Sequence, residues 1–214
     1  MVDVSEKDVE ATIEQHLLSS GYVKRDPKSY NRARCLDPEA LFGFIYATQP
    51  EAWEKLKVQH GPEVKERFLK RLTKEIEVRG TLDVLRRGVV DLGSKFDLAY
   101  FKPETGLNEE HKRLYNANLF SVMRQVRYSE KNQNSLDLVL FLNGLPIITA
   151  ELKNPLTNQT VQDAVAQYRK DRDSKEPLLA FQRCLAHFAV DPDMVYVTTR
   201  LQDQKTRFLP FNKG

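Results

Sequence analysis

The strongest constraint on the fold of this chain is a pair of apolar runs joined by Asn143-Gly144, at residues 136–142 and 145–152. Asn-Gly between two apolar runs is a strong signal of a β-hairpin. Side chains alternate between the two faces of a strand, and the even-numbered positions of both runs are all apolar. The charged side chains stand at odd-numbered positions, namely Asp137 in the first run, Glu151 in the second and Lys153 directly after the second.

The register of this hairpin decides whether the charged groups meet. A two-residue loop would pair Leu142 with Leu145. Asp137 would then lie on the opposite face from Glu151. An odd connection, such as a three-residue loop with a glycine bulge, gathers the charged groups on one face. It also leaves the other face uniformly apolar, so we predict the odd register. The residues expected on the buried face are Leu136, Leu138, Ile148 and Ala150.

Two carboxylates on neighbouring strands, with a lysine two residues after the second, suggest a metal-dependent hydrolase. Carboxylates are hard oxygen ligands that can hold Mg²⁺. A metal-bound water can attack a phosphodiester, and a lysine can orient that water and offset the developing charge. The alternative is structural: Asp137 opens a strand, and Glu151 pairs with Lys153 at a strand end.

Composition places the chain among globular proteins. It has 214 residues, 41% apolar and 29% charged, which fits one domain. Its 33 basic and 30 acidic residues give a formal charge of +3, which permits a nucleic-acid partner. No apolar run approaches the ~20 residues of a membrane span, and no secretion signal is expected, because the N-terminus lacks a basic and an apolar region. Cys35 and Cys184 are expected to be reduced thiols of a cytosolic protein. A P-loop is absent, and the four histidines lack ligand spacing.

The apolar periodicity along the chain predicts a mixed α/β domain. Helices are expected over residues 5–20, 39–47, 50–56, 62–78, 160–172 and 178–187. Strands are expected over residues 81–85, 96–101, 119–128, 136–142, 147–152 and 195–199. Basic residues cluster at 65–74, 124–131 and 169–175, which fits either solvated surfaces or contacts to DNA.

The hairpin belongs to a longer recognisable string, from Ser135 to Pro155, which contains N-G-L-P and E-L-K-N-P. With the segments 164–172, 181–191, 195–200 and 208–214, this string resembles the nuclease core of the restriction (R) subunit of type I restriction–modification enzymes. This is the HsdR family, which resembles the PD-(D/E)xK nuclease superfamily. In the first half, the opening helix and its Gly21-Tyr22 ending are also similar to the family.

The resemblance implies a PD-(D/E)xK (restriction-endonuclease-like) α/β fold, with a mixed central sheet flanked by helices. Residues 1–214 would form a single nuclease domain. Within it, residues 22–80 would be a mostly helical or loop insertion, and residues 81–200 the sheet core with the site. An ATP-driven translocase domain is expected after residue 214.

The resemblance also implies roles for particular residues. Asp137 and Glu151 would be the metal-binding carboxylates, and Lys153 the catalytic lysine. The family often places a further acid on its first helix near the metal, and Glu10 fits that position. Glu6 and Glu14 lie one turn on either side of Glu10, so a solvated acidic face is the alternative for this helix.

The family carries a Q-x-x-x-Y motif on the helix after the lysine, and Gln167 suits its glutamine. This sequence departs from the motif, because Asp171 stands four residues later and the tyrosine is Tyr168. On a helix, Gln167 and Asp171 share a face that Tyr168 does not. Tyr168 is therefore predicted to be a core residue.

The function implied by the resemblance is Mg²⁺-dependent endonucleolytic cleavage of double-stranded DNA, as defence against foreign DNA in the bacterial or archaeal cytoplasm. Mn²⁺ is an alternative ion, and ATP would act only through the motor domain. The expected partners are double-stranded DNA and the methylation and specificity subunits, which would supply sequence recognition; no membrane is expected. Two alternatives stay open: a non-catalytic DNA-binding or subunit-docking module of the same complex, and another PD-(D/E)xK nuclease.

Overall fold

The computed structural model describes residues 6–104, 108–154 and 159–212. The helices are α1 (Glu6–Ser19), α2 (Pro38–Thr48), α3 (Pro50–His60), α4 (Val64–Arg79), α5 (Thr81–Arg87), α6 (Glu109–Asn116) and α7 (Val161–Lys170). The strands are β1 (Val23–Lys24), β2 (Val89–Asp91), β3 (Ser94–Phe96), β4 (Phe120–Arg127), β5 (Ser135–Leu142), β6 (Leu145–Leu152), β7 (Ala186–Val190), β8 (Val195–Thr198) and β9 (Leu209–Pro210).

A mixed sheet organises the fold. Among the described residues it has seven strands in the order β1-β4-β5-β6-β7-β8-β9, and β2 and β3 form a separate hairpin. The pairs β1–β4 and β6–β7 are parallel, and the other neighbours are antiparallel. The parallel pair β6–β7 requires a crossover, which α7 supplies. This is a mixed α/β architecture compatible with a restriction-endonuclease-like fold, as the sequence predicts.

The predicted odd register of the β5–β6 hairpin is confirmed. It arises from a two-residue turn followed by a bulge, and not from the three-residue loop that served as an example. Leu142 pairs with Leu145 across a two-residue turn, in which Asn143 and Gly144 have φ of 51° and 81°. The register then shifts by one residue, so that Ile147 is an extra residue in β6. Before the bulge, even-numbered residues of β5 pair with odd-numbered residues of β6. After it, even-numbered residues pair with even-numbered ones, as Leu140 does with Ile148.

Both faces of this hairpin are covered by helices. On the even-numbered face, Leu138 and Leu152 pack with Leu17 of α1. On the odd-numbered face, Val139 and Phe141 pack with α7. The predicted apolar face is only partly buried. Leu136 and Leu138 are buried, whereas Ile148 and Ala150 are half-buried.

Helices α2–α5 and the β2–β3 hairpin form a layer with an aromatic core. The buried rings of this layer belong to Phe42, Phe44, Trp53, Phe68 and Phe96. The closest pair, Phe68 and Phe96, has ring centroids 4.9 Å apart in an edge-to-face arrangement. The same core includes Leu145 and Ile147 at the start of β6. This layer is therefore packed directly on the hairpin that carries the candidate site.

The prediction of a strand over residues 81–85 was wrong, because the segment is the helix α5. Its buried residues Thr81, Val84 and Leu85 have helical rather than alternating spacing. Ion pairs at i and i+4 support the helix, since Asp83 bonds both Arg79 and Arg87.

The prediction of a strand over residues 96–101 was also largely wrong. β3 ends at Phe96, and side-chain amides bond the backbone that follows. Gln49 pairs with both backbone groups of Asp97, at 2.7 and 2.9 Å. Asn118 does the same for Tyr100, at 3.1 and 2.6 Å. These amides take the place of a neighbouring strand.

The helix predicted over residues 178–187 is absent from the described chain, where turns lead directly into β7. Gln182 has a φ of 68°, which a continuous right-handed helix does not allow. The backbone N–H of Leu185 then bonds the carbonyl of Ile147, which starts the parallel pairing of β7 with β6. Pairing with the sheet therefore prevails over the helical pattern.

Three further features bear on the expectations from the sequence. The edge strand β1 lies inside residues 22–80, where helix or loop was expected, and pairs with β4. Cys35 and Cys184 are free and buried, and burial raises the pKa of the Cys184 thiol to about 12. No helix within the described parts of the chain is long and apolar enough to cross a bilayer.

Candidate active site

The two carboxylates predicted to bind metal lie on neighbouring strands. Continuing the β5–β6 register from Leu138 and Ala150 places Asp137 beside Glu151. Asp137 is 8% exposed, and its Oδ2 accepts a hydrogen bond from the backbone N–H of Leu152 at 2.8 Å. The hairpin therefore fixes the Asp137 carboxylate through the backbone of the strand that carries Glu151.

Glu151 is fully buried, and its two oxygens have different surroundings. Oε1 accepts a hydrogen bond from Nε of Arg172 at 2.6 Å. Oε2 is buried and accepts no hydrogen bond from any residue that the structure describes. Burial raises the pKa of Glu151 well above its usual range, and the nearby Asp137 charge raises it further, against the lowering effect of Arg172. A cation beside Oε2 would offset this cost.

Glu10 lies at the same site, where the resemblance places it. The side chain is 3% exposed, so a solvated acidic face is the wrong description here. Its Oε2 accepts hydrogen bonds from Arg124, and its Oε1 accepts one from Nε2 of Gln125 at 2.7 Å. Burial raises the pKa of Glu10, partly opposed by the bond from Arg124. Glu14 is also buried and bonds Lys24.

Gln125 connects Glu10 to Asp137, a role that was not predicted from the sequence. Its Nε2 also lies 3.2 Å from Oδ1 of Asp137, and its Oε1 accepts a bond from the Ser135 hydroxyl. The backbone of Gln125 has a φ of 51° within β4, an uncommon conformation inside a strand. The available signal was the polar pair Arg124-Gln125 in an otherwise largely apolar strand.

Lys153 follows the last residue of β6 and is 8% exposed. Its backbone N–H donates to the carbonyl of Val190 at 2.8 Å, which continues the pairing of β6 with β7 by one residue. The structure therefore brings Lys153 to the strand end that carries Glu151, two residues away along the chain.

Gln167 stands apart from these groups. The buried face of α7 carries Ala164 and Tyr168, and Arg172 follows just after the helix ends. Gln167 is half-buried beside this face. Within the described residues, its side chain forms no hydrogen bond to Asp137 or Glu151. The role assigned to Gln167 stays a prediction.

Tyr168 is a core residue, as predicted, and takes part in a buried polar chain. Its hydroxyl lies 2.8 Å from Oγ1 of Thr149, which lies on β6 two residues before Glu151. The same Thr149 oxygen is bonded to His187 of β7.

The donor set fits a hard divalent cation that keeps several water ligands. In the described ranges, no group of three or more His, Cys, Asp or Glu side chains is arranged to hold a metal. Asp137 and Glu151 nevertheless supply two adjacent buried carboxylates, and one oxygen has no hydrogen-bond donor. Mg²⁺ is often held by only one or two protein carboxylates together with water and phosphate oxygens.

A comparison with known protein families covers almost the whole chain. The curated proteins with which it was compared include no match. A family model described as the N terminus of the type I restriction enzyme R protein matches residues 3–206. The matched range includes α1, the β5–β6 hairpin, α7 and every candidate site residue. The chain belongs to the family of type I restriction enzyme R protein N-terminal regions.

Proposed function

We propose that this domain is the Mg²⁺-dependent nuclease of a type I restriction enzyme and that it cuts double-stranded DNA. The observation that carries the proposal is the adjacent pair of buried carboxylates, Asp137 and Glu151, with one oxygen that accepts no hydrogen bond among the described residues. Two like charges in a buried position repel each other, and a bound cation relieves that repulsion. Lys153 lies at the same strand end.

Each residue has a defined task in this proposal. Asp137 and Glu151 hold the ion, and Glu10 supports Asp137 through Gln125. When bound, a divalent ion lowers the pKa of a coordinated water and stabilises charge on a phosphate. The Lys153 ammonium orients the attacking water and offsets the negative charge that develops on the phosphorus oxygens. Gln167 is assigned a contact to the substrate or the attacking water from α7.

The proposed partners follow from the family. Double-stranded DNA is the substrate, and the methylation and specificity subunits supply sequence recognition. ATP is used only by a motor domain of the same subunit, and Mn²⁺ can take the place of Mg²⁺. The proposed location is the bacterial or archaeal cytoplasm.

The structure reduces the basic surface that the sequence offered for DNA. Arg124 is engaged by Glu10, Arg172 by Glu151, and Arg169 by the carbonyl of Thr206. On α4, Arg67 bonds Glu63. We therefore expect the isolated domain to bind DNA weakly, with a Kd on the order of 10⁻⁴ to 10⁻⁶ M at physiological salt.

The deciding experiment uses the complete R subunit reconstituted with its methylation and specificity subunits. Asp137→Ala should abolish Mg²⁺-dependent cleavage, while DNA binding and ATP hydrolysis are retained. The control is Asp193→Ala, which removes an exposed carboxylate from the turn between β7 and β8. Cleavage at the wild-type rate by the Asp137 variant would refute the proposed site. An intact complex that never cuts DNA would favour the non-catalytic docking module.

A further inference from the structure

Arg172 spans the two strands that carry the candidate metal ligands. Its Nε donates to Oε1 of Glu151 on β6 at 2.6 Å, and its Nη2 donates to the carbonyl of Ser135 on β5 at 2.8 Å. Ser135 lies two residues before Asp137. The guanidinium also lies 5.9 Å from the ring centre of Tyr128. One rigid group therefore links the strand of Asp137 to the side chain of Glu151.

The bond from Arg172 leaves the two oxygens of Glu151 unequal. Oε1 is occupied by the guanidinium, and Oε2 has no donor among the described residues. Both partners are buried, with side-chain exposures of 7% and 0%. A planar guanidinium fixed at two points restricts rotation of the carboxylate, which a single flexible ammonium would not do. This arrangement orients Glu151 without using both of its oxygens.

We propose that Arg172 is a positioning residue that holds Glu151 by one oxygen and leaves the other for the metal ion. The inference rests on the proposed function, because it takes Glu151 as a metal ligand. The opposite reading is that Arg172 occupies Glu151 in place of the ion and inhibits metal binding. The two readings predict changes of metal affinity in opposite directions when Arg172 is replaced.

The experiment measures Mn²⁺ binding to the 214-residue chain by electron paramagnetic resonance of the free ion, which needs no cleavage activity. Arg172→Met keeps the length of the side chain and removes the bridge. The control is Arg169→Met in the last turn of α7, three residues before Arg172. The guanidinium of Arg169 bonds only the carbonyl of Thr206 among the described residues. Circular dichroism verifies that each variant is folded.

The expected result is an Mn²⁺ dissociation constant raised about 10–100-fold in Arg172→Met, as for other groups that orient metal ligands. Arg169→Met should bind like wild type. An unchanged or lower dissociation constant in Arg172→Met overturns the inference, and a lower one identifies Arg172 as a competitor of the ion. If the methionine variant does not fold, Arg172→Lys decides, because its single nitrogen cannot bridge Glu151 and Ser135. Wild-type affinity in that variant refutes the bridge.

Failure of the proposed function gives a different pattern. If the wild-type chain binds Mn²⁺ and Asp137→Ala binds it equally well, the carboxylate site itself is refuted, and Arg172 loses its role with it. If Asp137→Ala abolishes binding and Arg172→Met has no effect, only the inference about Arg172 fails.

Discussion

The hydroxyl of Thr149 lies 2.7 Å from Nδ1 of His187, in the interior of the sheet and two residues before Glu151. His187 is 2% exposed, and burial lowers the pKa of its imidazole from 6.5 to about 4. The ring is therefore neutral in the folded chain at physiological pH. Because a buried neutral histidine resists protonation, His187 makes the stability of the folded chain depend on pH. This histidine lies close to the candidate site.

The first prediction concerns this pH dependence. An unfolded chain protonates His187 near pH 6.5, whereas the folded chain does so only near pH 4. The stability contributed by the neutral ring is complete above pH 6.5 and is lost as the pH falls toward 4. The full loss is roughly 3 kcal/mol. In urea unfolding, His187→Gln should remove most of this extra loss, because glutamine stays neutral.

The control for this measurement is His111→Gln, which replaces an exposed imidazole on α6. Its stability should follow the pH in the same way as the wild type. Equal acid sensitivity of His187→Gln and the wild type would show that the buried ring does not set the pH dependence.

The second prediction separates Lys153 from the metal ligands. Lys153→Ala should reduce cleavage by the reconstituted enzyme by about 10²–10³-fold, because the ammonium acts on developing charge. Calorimetric titration of the chain with Mg²⁺ should give nearly the wild-type affinity. Lys170→Ala, at the exposed end of α7, serves as control. Loss of metal affinity as complete as in Asp137→Ala would indicate a structural role instead.

The third prediction concerns Gln125. Gln125→Met keeps the size of the side chain but removes the amide that joins Glu10 to Asp137. Since groups that orient metal ligands affect activity by about 10–100-fold, cleavage should fall by that factor. Gln162→Met, on the exposed side of α7, should cut like wild type. Full activity in Gln125→Met would mean that Glu10 and Asp137 work independently.

The fourth prediction tests the hairpin turn. Gly144 has a φ of 81°, and a Cβ atom there would lie 2.4 Å from the carbonyl oxygen of Asp37. Gly144→Ala should therefore lower the free energy of unfolding by roughly 2–4 kcal/mol. Gly93→Ala is a matched control, since Gly93 has a φ of 80° and open space around its Cα. Equal losses in the two variants would show that the close approach of α2 contributes nothing.

The sequence predicted the part of the site that depends on local pattern. The alternation of apolar residues in β5 and β6 was sufficient to place Asp137 beside Glu151. Only a register that pairs even-numbered with even-numbered residues keeps one face of the hairpin apolar. The pattern did not identify how that register arises. A three-residue loop and a two-residue loop followed by a bulge at Ile147 have the same effect on the faces. Distinguishing them requires the contact between Gly144 and α2.

The parts that could not be predicted depend on contacts between distant segments. Gln125 and Glu10 are 115 residues apart, and Arg172 and Glu151 are 21 apart. No local periodicity specifies such pairs. The same holds for the backbone after β3, where Gln49 bonds Asp97 from 48 residues away. Gln167 was predicted as a site residue because it matches the glutamine of a family motif, whereas the fold places Arg172 against Glu151.

The extra residue at Ile147 makes the hairpin sensitive to the length of the chain. If the turn and the bulge are kept, deleting one paired residue between Asp137 and Glu151 would exchange inner and outer positions on one arm and separate the carboxylates. Deleting Ile147 itself would instead remove the bulge and leave Asp137 opposite Glu151 in a regular hairpin. Deleting two residues together would keep the faces as they are. Natural variation of this segment should therefore occur in steps of two, or as single changes in which the bulge and the turn compensate for each other.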